Sequence, residues 1–184
     1  VTTDGAVTVT QGKLECLSQS CVDFDGSAEY ISVADAASLD PTDGYLTLSA
    51  WIKPDNISAG TRAIMAKRHA TEESGNYHFG QNGDELQFYI WSAADTSQSV
   101  TTTTSPLVAG QWHHVAVTMN DVDNDVYFYV DGVEVGSDLS TITNNFANTN
   151  DPFYIGYSSQ SSEYFDGKIR DARFYDQVLT AEQV

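Results

Sequence analysis

Cations are scarce in this chain: of 184 residues only 8 are lysine or arginine, against 26 aspartates and glutamates, a formal net charge of −18. Such a surface repels nucleic-acid phosphates and anionic lipid, so DNA, RNA and acidic membranes are disfavoured as partners. Dense carboxylate fits a high-salt or calcium-containing exterior, or simply keeps a secreted protein soluble. No run approaches the roughly 18 apolar residues of a spanning helix, and the opening VTTDGAVTVT lacks a basic region followed by an apolar one. The expectation is a soluble chain without membrane insertion, any export signal having been removed or lying upstream.

Cysteine is nearly absent too. Cys16 and Cys21 enclose only Leu17, Ser18, Gln19 and Ser20, so a bond between them would staple a local hairpin. Its worth is about 2 kcal/mol. Two cysteines this close, with no histidine beside them and no second pair, make a poor zinc site. A disulfide in an oxidising compartment is the expectation, with two free thiols as the alternative. Catalytic signatures are missing as well: there is no GxSxG elbow, no HExxH and no phosphate-binding glycine loop. Helical signal is confined to one short turn at Asp35–Leu39 and to Ala181-Glu182-Gln183-Val184, which Thr180 could cap. No internal repeat or linker interrupts the chain.

What is present is strand. Period-two or buried-strand patterns occupy Cys21–Phe24, Glu29–Val33, Tyr45–Lys53, Arg62–Lys67, Asn76–Gly80, Glu85–Trp91, Trp112–Met119, Asp125–Val130, Phe153–Tyr157 and Lys168–Tyr175. Gln81-Asn82-Gly83-Asp84 and Asp131-Gly132 read as hairpin turns, because Asn-Gly and Asp-Gly readily supply positive φ. Thr96–Ser105 reads as an exposed edge strand or a loop, and Asp138–Pro152 shows little periodicity. With 41% apolar residues the chain can fill one large antiparallel sandwich, so residues 1–184 are expected to be a single domain, with 1–21 an N-terminal strand or hairpin region.

Four segments recur in a fixed order: FDGSAEYISV from Phe24, LTLSAWIKP from Leu46, GQWHHVAVTMN from Gly110, and YVDG to FDGKIRDARFYD from Tyr129 to Asp176. In this order and spacing the chain resembles the laminin-G-like, concanavalin A-like jelly roll of secreted lectin and carbohydrate-binding modules, over roughly residues 22 to 184. The resemblance implies an all-β, antiparallel two-sheet sandwich. It also implies a calcium site: in such modules an aspartate of the final strand meets an early Asp-Gly-Ser turn. The matching residues are Asp25, Ser27 and Asp171, with Glu29 as an addition. Arg170 stands where the family often has a second acid. The competing reading has Asp25 closing a type I turn and Asp171 pairing with Arg173.

Three further constellations bear on function. His113 and His114 are neighbours on a strand and point to opposite faces, so they cannot share an ion. His113 falls in parity with Val115, Val117 and Met119, and one histidine is expected in or beside the core. If Leu86, Phe88 and Ile90 face the core, Gln87, Tyr89 and Trp91 face away; if Val126, Phe128 and Val130 face in, Tyr127 and Tyr129 face out. Such rings could stack on the C–H face of a pyranose, or could be mere strand formers under a covering loop. The loops around residues 67–76 and 157–164 carry Arg68, His69, Glu73, Asn76, Tyr157, Gln160, Glu163 and Tyr164, the acids, amides and aromatics of a sugar site. In related pentraxin-like scaffolds the corresponding loops form a calcium-dependent ligand site, and only that location carries over.

Catalysis is not expected. Laminarinase-like relatives carry ExDxxE on one strand and alginate-lyase relatives RxExR and QIH, and neither pattern occurs. Asp121, Asp123 and Asp125 alternate but flank a turn. The expected function is that of a calcium-stabilised, lectin-like module of a secreted or surface-anchored adhesin or polysaccharide-degrading enzyme. Its partner would be a glycan, polysaccharide or cell-surface glycoprotein. A protein-binding laminin-G-like adhesion domain is the alternative, and a hydrolase or lyase with an unrecognised site the third. The ligand is expected at the loops and not on the aromatic sheet face.

Overall fold

A computed structural model describes residues 7–10, 21–41, 43–68, 75–91, 97–139, 146, 149–159 and 162–184. Two antiparallel sheets stack face to face. The first runs in the order β1 (Val7–Thr10), β3 (Tyr30–Val33), β12 (Phe153–Ile155), β5 (Thr61–Arg68), β6 (Gly75–Asn82), β7 (Glu85–Trp91) and β8 (Ser97–Thr101). The second runs β11 (Val133–Leu139), β10 (Asp125–Val130), β9 (His113–Asn120), β4 (Tyr45–Pro54), β13 (Asp166–Tyr175) and β2 (Val22–Asp25). No helix among the described residues is long and apolar enough to cross a membrane.

Alternation builds the core. Leu86, Phe88 and Ile90 of the seven-stranded sheet are fully buried, as are Val115, Val117 and Met119 of the six-stranded one, so the inner faces meet as expected of a sandwich. At roughly 1.5–3 kcal/mol per fully buried large apolar side chain, this layer is the main stabilising term. Asp131 and Gly132 both adopt positive φ, 52° and 78°, giving the type I′ hairpin their sequence calls for. Between β6 and β7 the two turn residues are Gly83-Asp84 and not Asn82-Gly83. Positive φ falls on Gly83 alone, the type II′ pattern, and Asn82 pairs with Glu85 in the ladder.

One strand, β11, exceeds the sequence expectation. β11 follows the Asp131-Gly132 turn, where its alternation, Val133, Val135, Ser137, is too weakly apolar to stand out. β8 resolves the strand-or-loop ambiguity of Thr96–Ser105, and β1 pairs Val7 with Val33. Ala37–Leu39 form a 3₁₀ turn. The C-terminal segment is a turn and not a helix: Gln183 Oε1 accepts from Thr180 N–H at 2.9 Å.

Within the N-terminal region, residues 11–20 and therefore Cys16 lie outside the described residues. Cys21 is buried and is not a free thiol. If it pairs with Cys16, intact mass will fall two hydrogens short of the reduced chain, and Cys16→Ser/Cys21→Ser will still fold with a loss of about 2 kcal/mol. Alkylation of both thiols in the native protein would overturn the pairing.

Candidate functional site

Strand parity places one row of side chains across the outer face of the seven-stranded sheet. Tyr89, His78, Ala66, Tyr154 and Ser32 are cross-strand partners in turn, so all project away from the core. His78 is fully buried, its ring edge-on to Tyr89 at 5.5 Å. One strand-step along, Trp91 stacks on Tyr89 at 5.3 Å, and the Arg68 guanidinium lies 3.6 Å from the Trp91 ring centroid. Trp91 is only 4% exposed, so it works as a clamp for Arg68 and not as an open stacking platform.

The other half of the face is tyrosine. Tyr157 is stacked between Tyr30, at 4.9 Å, and Tyr164, at 4.6 Å, while Tyr154 meets both Tyr30 and Tyr157 edge-on. All four rings are partly exposed. Burial, and then Tyr164, push the Tyr157 hydroxyl up to about 12. The Tyr154 and Tyr89 hydroxyls are raised by burial as well. These groups therefore stay protonated at physiological pH and both donate and accept hydrogen bonds.

Glu163 joins the two halves. Its Oε2 lies 3.2 Å from His78 Nε2, a close contact that falls short of hydrogen-bond geometry. Burial pushes its carboxyl up, but His78, Arg68 and Ser158 together outweigh burial, and the net effect is a lowered pKa. Burial pulls the Arg68 guanidinium down to about 10, with Glu163 opposing, so it remains a cation. Ser159 Oγ donates to the Arg68 carbonyl at 2.6 Å, tying the chain after β12 to the end of β5.

The lowered Glu163 pKa has a defined consequence. The folded carboxyl binds protons less readily than the unfolded one, so its contribution is complete above the ordinary carboxylate value and is lost as pH falls through the lowered folded value. Urea midpoints of wild type and Glu163→Gln should diverge most at neutral pH and converge at strongly acidic pH. A constant gap across that range would refute the assignment.

Of the eight expected ligand-binding residues, Arg68, Tyr157, Glu163 and Tyr164 come together on this face, whereas His69, Glu73 and Gln160 lie outside the described residues. Asn76 does not join them. It is fully buried, and its Nδ2 donates to Asp40 Oδ1 at 3.0 Å, which makes it part of the interior. The contrast between a loop site and a sheet-face site also dissolves, because Tyr157, Glu163 and Tyr164 pack across the sheet face itself. The two outward-facing aromatic pairs lie on opposite sides of the sandwich. Tyr89 and Trp91 belong to the outer face of one sheet, and Tyr127 and Tyr129 to that of the other. Tyr30, Tyr154 and His78 were missed; the signal was their common parity with Ser32 and Tyr89.

The four expected calcium ligands are not brought to one place. Asp25 Oδ1 accepts from Ser27 N–H and Oγ–H at 2.9 and 2.8 Å, which holds its carboxyl below its ordinary value, and Glu29 Oε2 accepts from the Asp25 N–H. The residue of β13 opposite Asp25 is Asp166. Asp171 lies roughly 15 Å further along at strand rise, within a bulge, where Arg173 binds both its oxygens at 2.9 and 2.7 Å. The Asp171–Arg173 pair of the competing reading is present, while Gly26 at φ 74° departs from the type I geometry expected after Asp25; Asp25, Ser27, Glu29 and Asp171 do not fit one calcium ion. Among the described residues no group of three or more His, Cys, Asp or Glu side chains is placed to hold a metal.

The histidines separate as parity requires. His113 is buried, its Nδ1 lies 2.9 Å from Asp131 Oδ2 and its Nε2 accepts from Val108 N–H, so it is a structural residue. His114 is on the opposite face, against Trp51.

Comparison with solved structures finds the same architecture in toxin binding domains. The binding domain of botulinum neurotoxin DC, in complex with rat synaptotagmin II, superposes with a TM-score of 0.77 at 12% identity, covering 98% of this chain and 46% of that one. The botulinum neurotoxin serotype G binding domain gives 0.76 at 11% identity, over 97% and 44%. The binding domain of Paraclostridial Mosquitocidal Protein 1 gives 0.73 at 12%, over 97% and 45%. At these identities the likeness is one of fold, and the chain spans less than half the length of each neighbour. No curated protein matches the chain. Residues 25–184 match the family described as the concanavalin A-like lectin/glucanases superfamily, with a laminin-G-type model, and the chain belongs to that family.

Proposed function

We propose that the chain is a non-catalytic carbohydrate-binding module of a secreted or surface-anchored protein, reading a neutral glycan across the outer face of the seven-stranded sheet. The observation that carries this is the continuity of the tyrosine stack Tyr30–Tyr157–Tyr164 with the Arg68–Glu163–His78 cluster. Protonated tyrosines supply C–H stacking and two-way hydroxyl hydrogen bonds, and Arg68 and Glu163 supply a directional donor and acceptor, the combination that hydroxyl recognition needs. A chain of net charge −18 repels acidic polysaccharides, which leaves neutral ones. The lowered pKa of Glu163 suits a hydrogen-bond acceptor and does not supply the raised-pKa acid that a glycosidase needs beside its ionised carboxylate. The binding role needs no calcium contact with the sugar.

The test is binding to an immobilised array of neutral, acidic and amino-sugar glycans, with and without excess chelator. Tyr164→Ala and Tyr30→Ala should each weaken the strongest neutral ligand by about 1.5–3 kcal/mol, the worth of one large buried ring, with stability little changed. Binding lost in chelator would restore a calcium-dependent site. A second reading, a protein-binding adhesion domain, is favoured by the neurotoxin neighbour in complex with synaptotagmin II. An empty array together with saturable binding to a deglycosylated surface protein would establish it instead.

A further inference from the structure

We infer that the opposite side of the sandwich, the outer face of the six-stranded sheet, carries a second and independent binding site for a neutral saccharide ring. It is a cavity of about 420 Å³ lined by Trp51, His114, Asp131, Asp171 and Arg173 with Gly132 and Val184. That volume lies in the range of small-ligand clefts, roughly 300–1,000 Å³.

The backbone is bent to make this cavity. Asp131 and Asp171 are two of the four described non-glycine residues with positive φ, at 52° and 51°, and both line it. Asp131 reaches it from the β10–β11 turn, and Asp171 from the bulge that interrupts β13 between Arg170 and Arg173. Strain and bulges of this kind re-aim side chains, and here both re-aim a carboxylate to the same place.

Charge decides the class of ligand. Two carboxylates, Asp131 and Asp171, and one guanidinium, Arg173, line the cavity, and a second guanidinium, Arg170, stands just outside the lining, its Cζ 5.0 Å from the Trp51 ring centroid and 4.6 Å from that of Trp112. Burial, and then Arg173, lower the pKa of His114 and keep its imidazole neutral. The charges cancel, so neither a cation nor an anion gains net attraction. What remains is mixed hydrogen bonding beside an aromatic wall. Asp131 accepts from the His114 N–H through Oδ1 and from His113 through Oδ2, and each oxygen keeps a lone pair. Arg173 spends Nε and one amino group on Asp171 and touches Tyr175 with the other only at 3.4 Å. Acceptors for vicinal hydroxyls, a spare donor and a Trp51 wall suit a pyranose.

The decisive experiment is NMR titration of the labelled protein with D-glucose, D-galactose, D-mannose and N-acetyl-D-glucosamine, following the Trp51 indole N–H, assigned by Trp51→Phe, and the His114 ring. Saturable shifts of both with at least one neutral sugar are expected. They should weaken about tenfold in Asp131→Asn/Asp171→Asn, where asparagine keeps the positive-φ backbone. They should persist in Tyr164→Ala, so loss of the tyrosine face does not decide this site. Shifts with none of the sugars, or only with N-acetylneuraminate or tetramethylammonium, would overturn the inference. So would shifts that vanish in Tyr164→Ala.

Discussion

Replacing Lys67 by alanine is expected to cost roughly 3–5 kcal/mol, a large share of the roughly 5–15 kcal/mol by which a domain of this kind is stable. Lys67 is on the inner face of β5, in register with Tyr77 and Phe153, and is fully buried. Its ammonium binds Asp40 Oδ1 at 2.7 Å and Asp35 Oδ1 at 2.9 Å and donates to the Thr149 carbonyl. Asn76 donates to the same Asp40 oxygen, and the Tyr77 hydroxyl donates to the Leu39 carbonyl beside it. Removing the cation strands a buried aspartate whose desolvation is then uncompensated. Lys67→Met/Asp40→Asn should lose less than the sum of its single variants, because each single variant leaves a buried partner exposed to the same penalty. Denaturant unfolding of the four proteins measures this. A loss below about 1 kcal/mol for Lys67→Ala would mean that water reaches the cluster.

Gly156→Ala is expected to cost about 2–5 kcal/mol, from backbone strain and overpacking together. Gly156 has φ of 80°, and a Cβ there would lie 2.6 Å from Cε1 and 2.7 Å from Cδ1 of Phe24, a ring that is itself buried against Phe165. The glycine cannot retreat, because its N–H donates to the Ile64 carbonyl and its carbonyl accepts from Phe165 N–H. Gly132→Ala is the control. It has the same sign of φ, but a Cβ there meets nothing within 4 Å. It should therefore lose only the conformational part, about 1 kcal/mol. Thermal and denaturant midpoints separate the two, and equal losses would remove the collision from the account. Gly156 also turns the chain from β12 into Tyr157, so glycan affinity should fall in the alanine variant even where it remains folded.

The sandwich was legible wherever alternation ran unbroken. Leu86, Phe88 and Ile90 against Tyr89 and Trp91, and His113 against His114, fell on the faces that period two requires. It failed at Asp171, where the bulge in β13 resets parity, so that a residue matched by family resemblance to the Asp25 turn instead faces the cavity beside Trp51. Asn76 was read as a rim residue because it is polar and adjoins a loop. Lys67 closes the strand expected at Arg62–Lys67, yet nothing in the local sequence announces Asp35, Asp40 and Thr149 as its partners. The binding face was half legible. Each tyrosine could be placed on a strand or loop, but the stack forms only when the chain after β12 lies across β3, and that is a property of tertiary packing.

The position of β13 constrains when this protein can fold. It lies between β4 and β2, pairing residues near the C-terminal end of the sequence with segments more than a hundred residues earlier. During synthesis the six-stranded sheet therefore lacks an interior strand until Asp166–Tyr175 have emerged, and β2 has no neighbour among the described strands before then. Loop closure over such separations is slow, on the millisecond-to-second scale of all-β sandwiches. A chain stalled before Asp166 would hold the apolar edges of β4 and β2 open to each other's copies, so premature termination exposes β-strand edges that the complete sheet conceals.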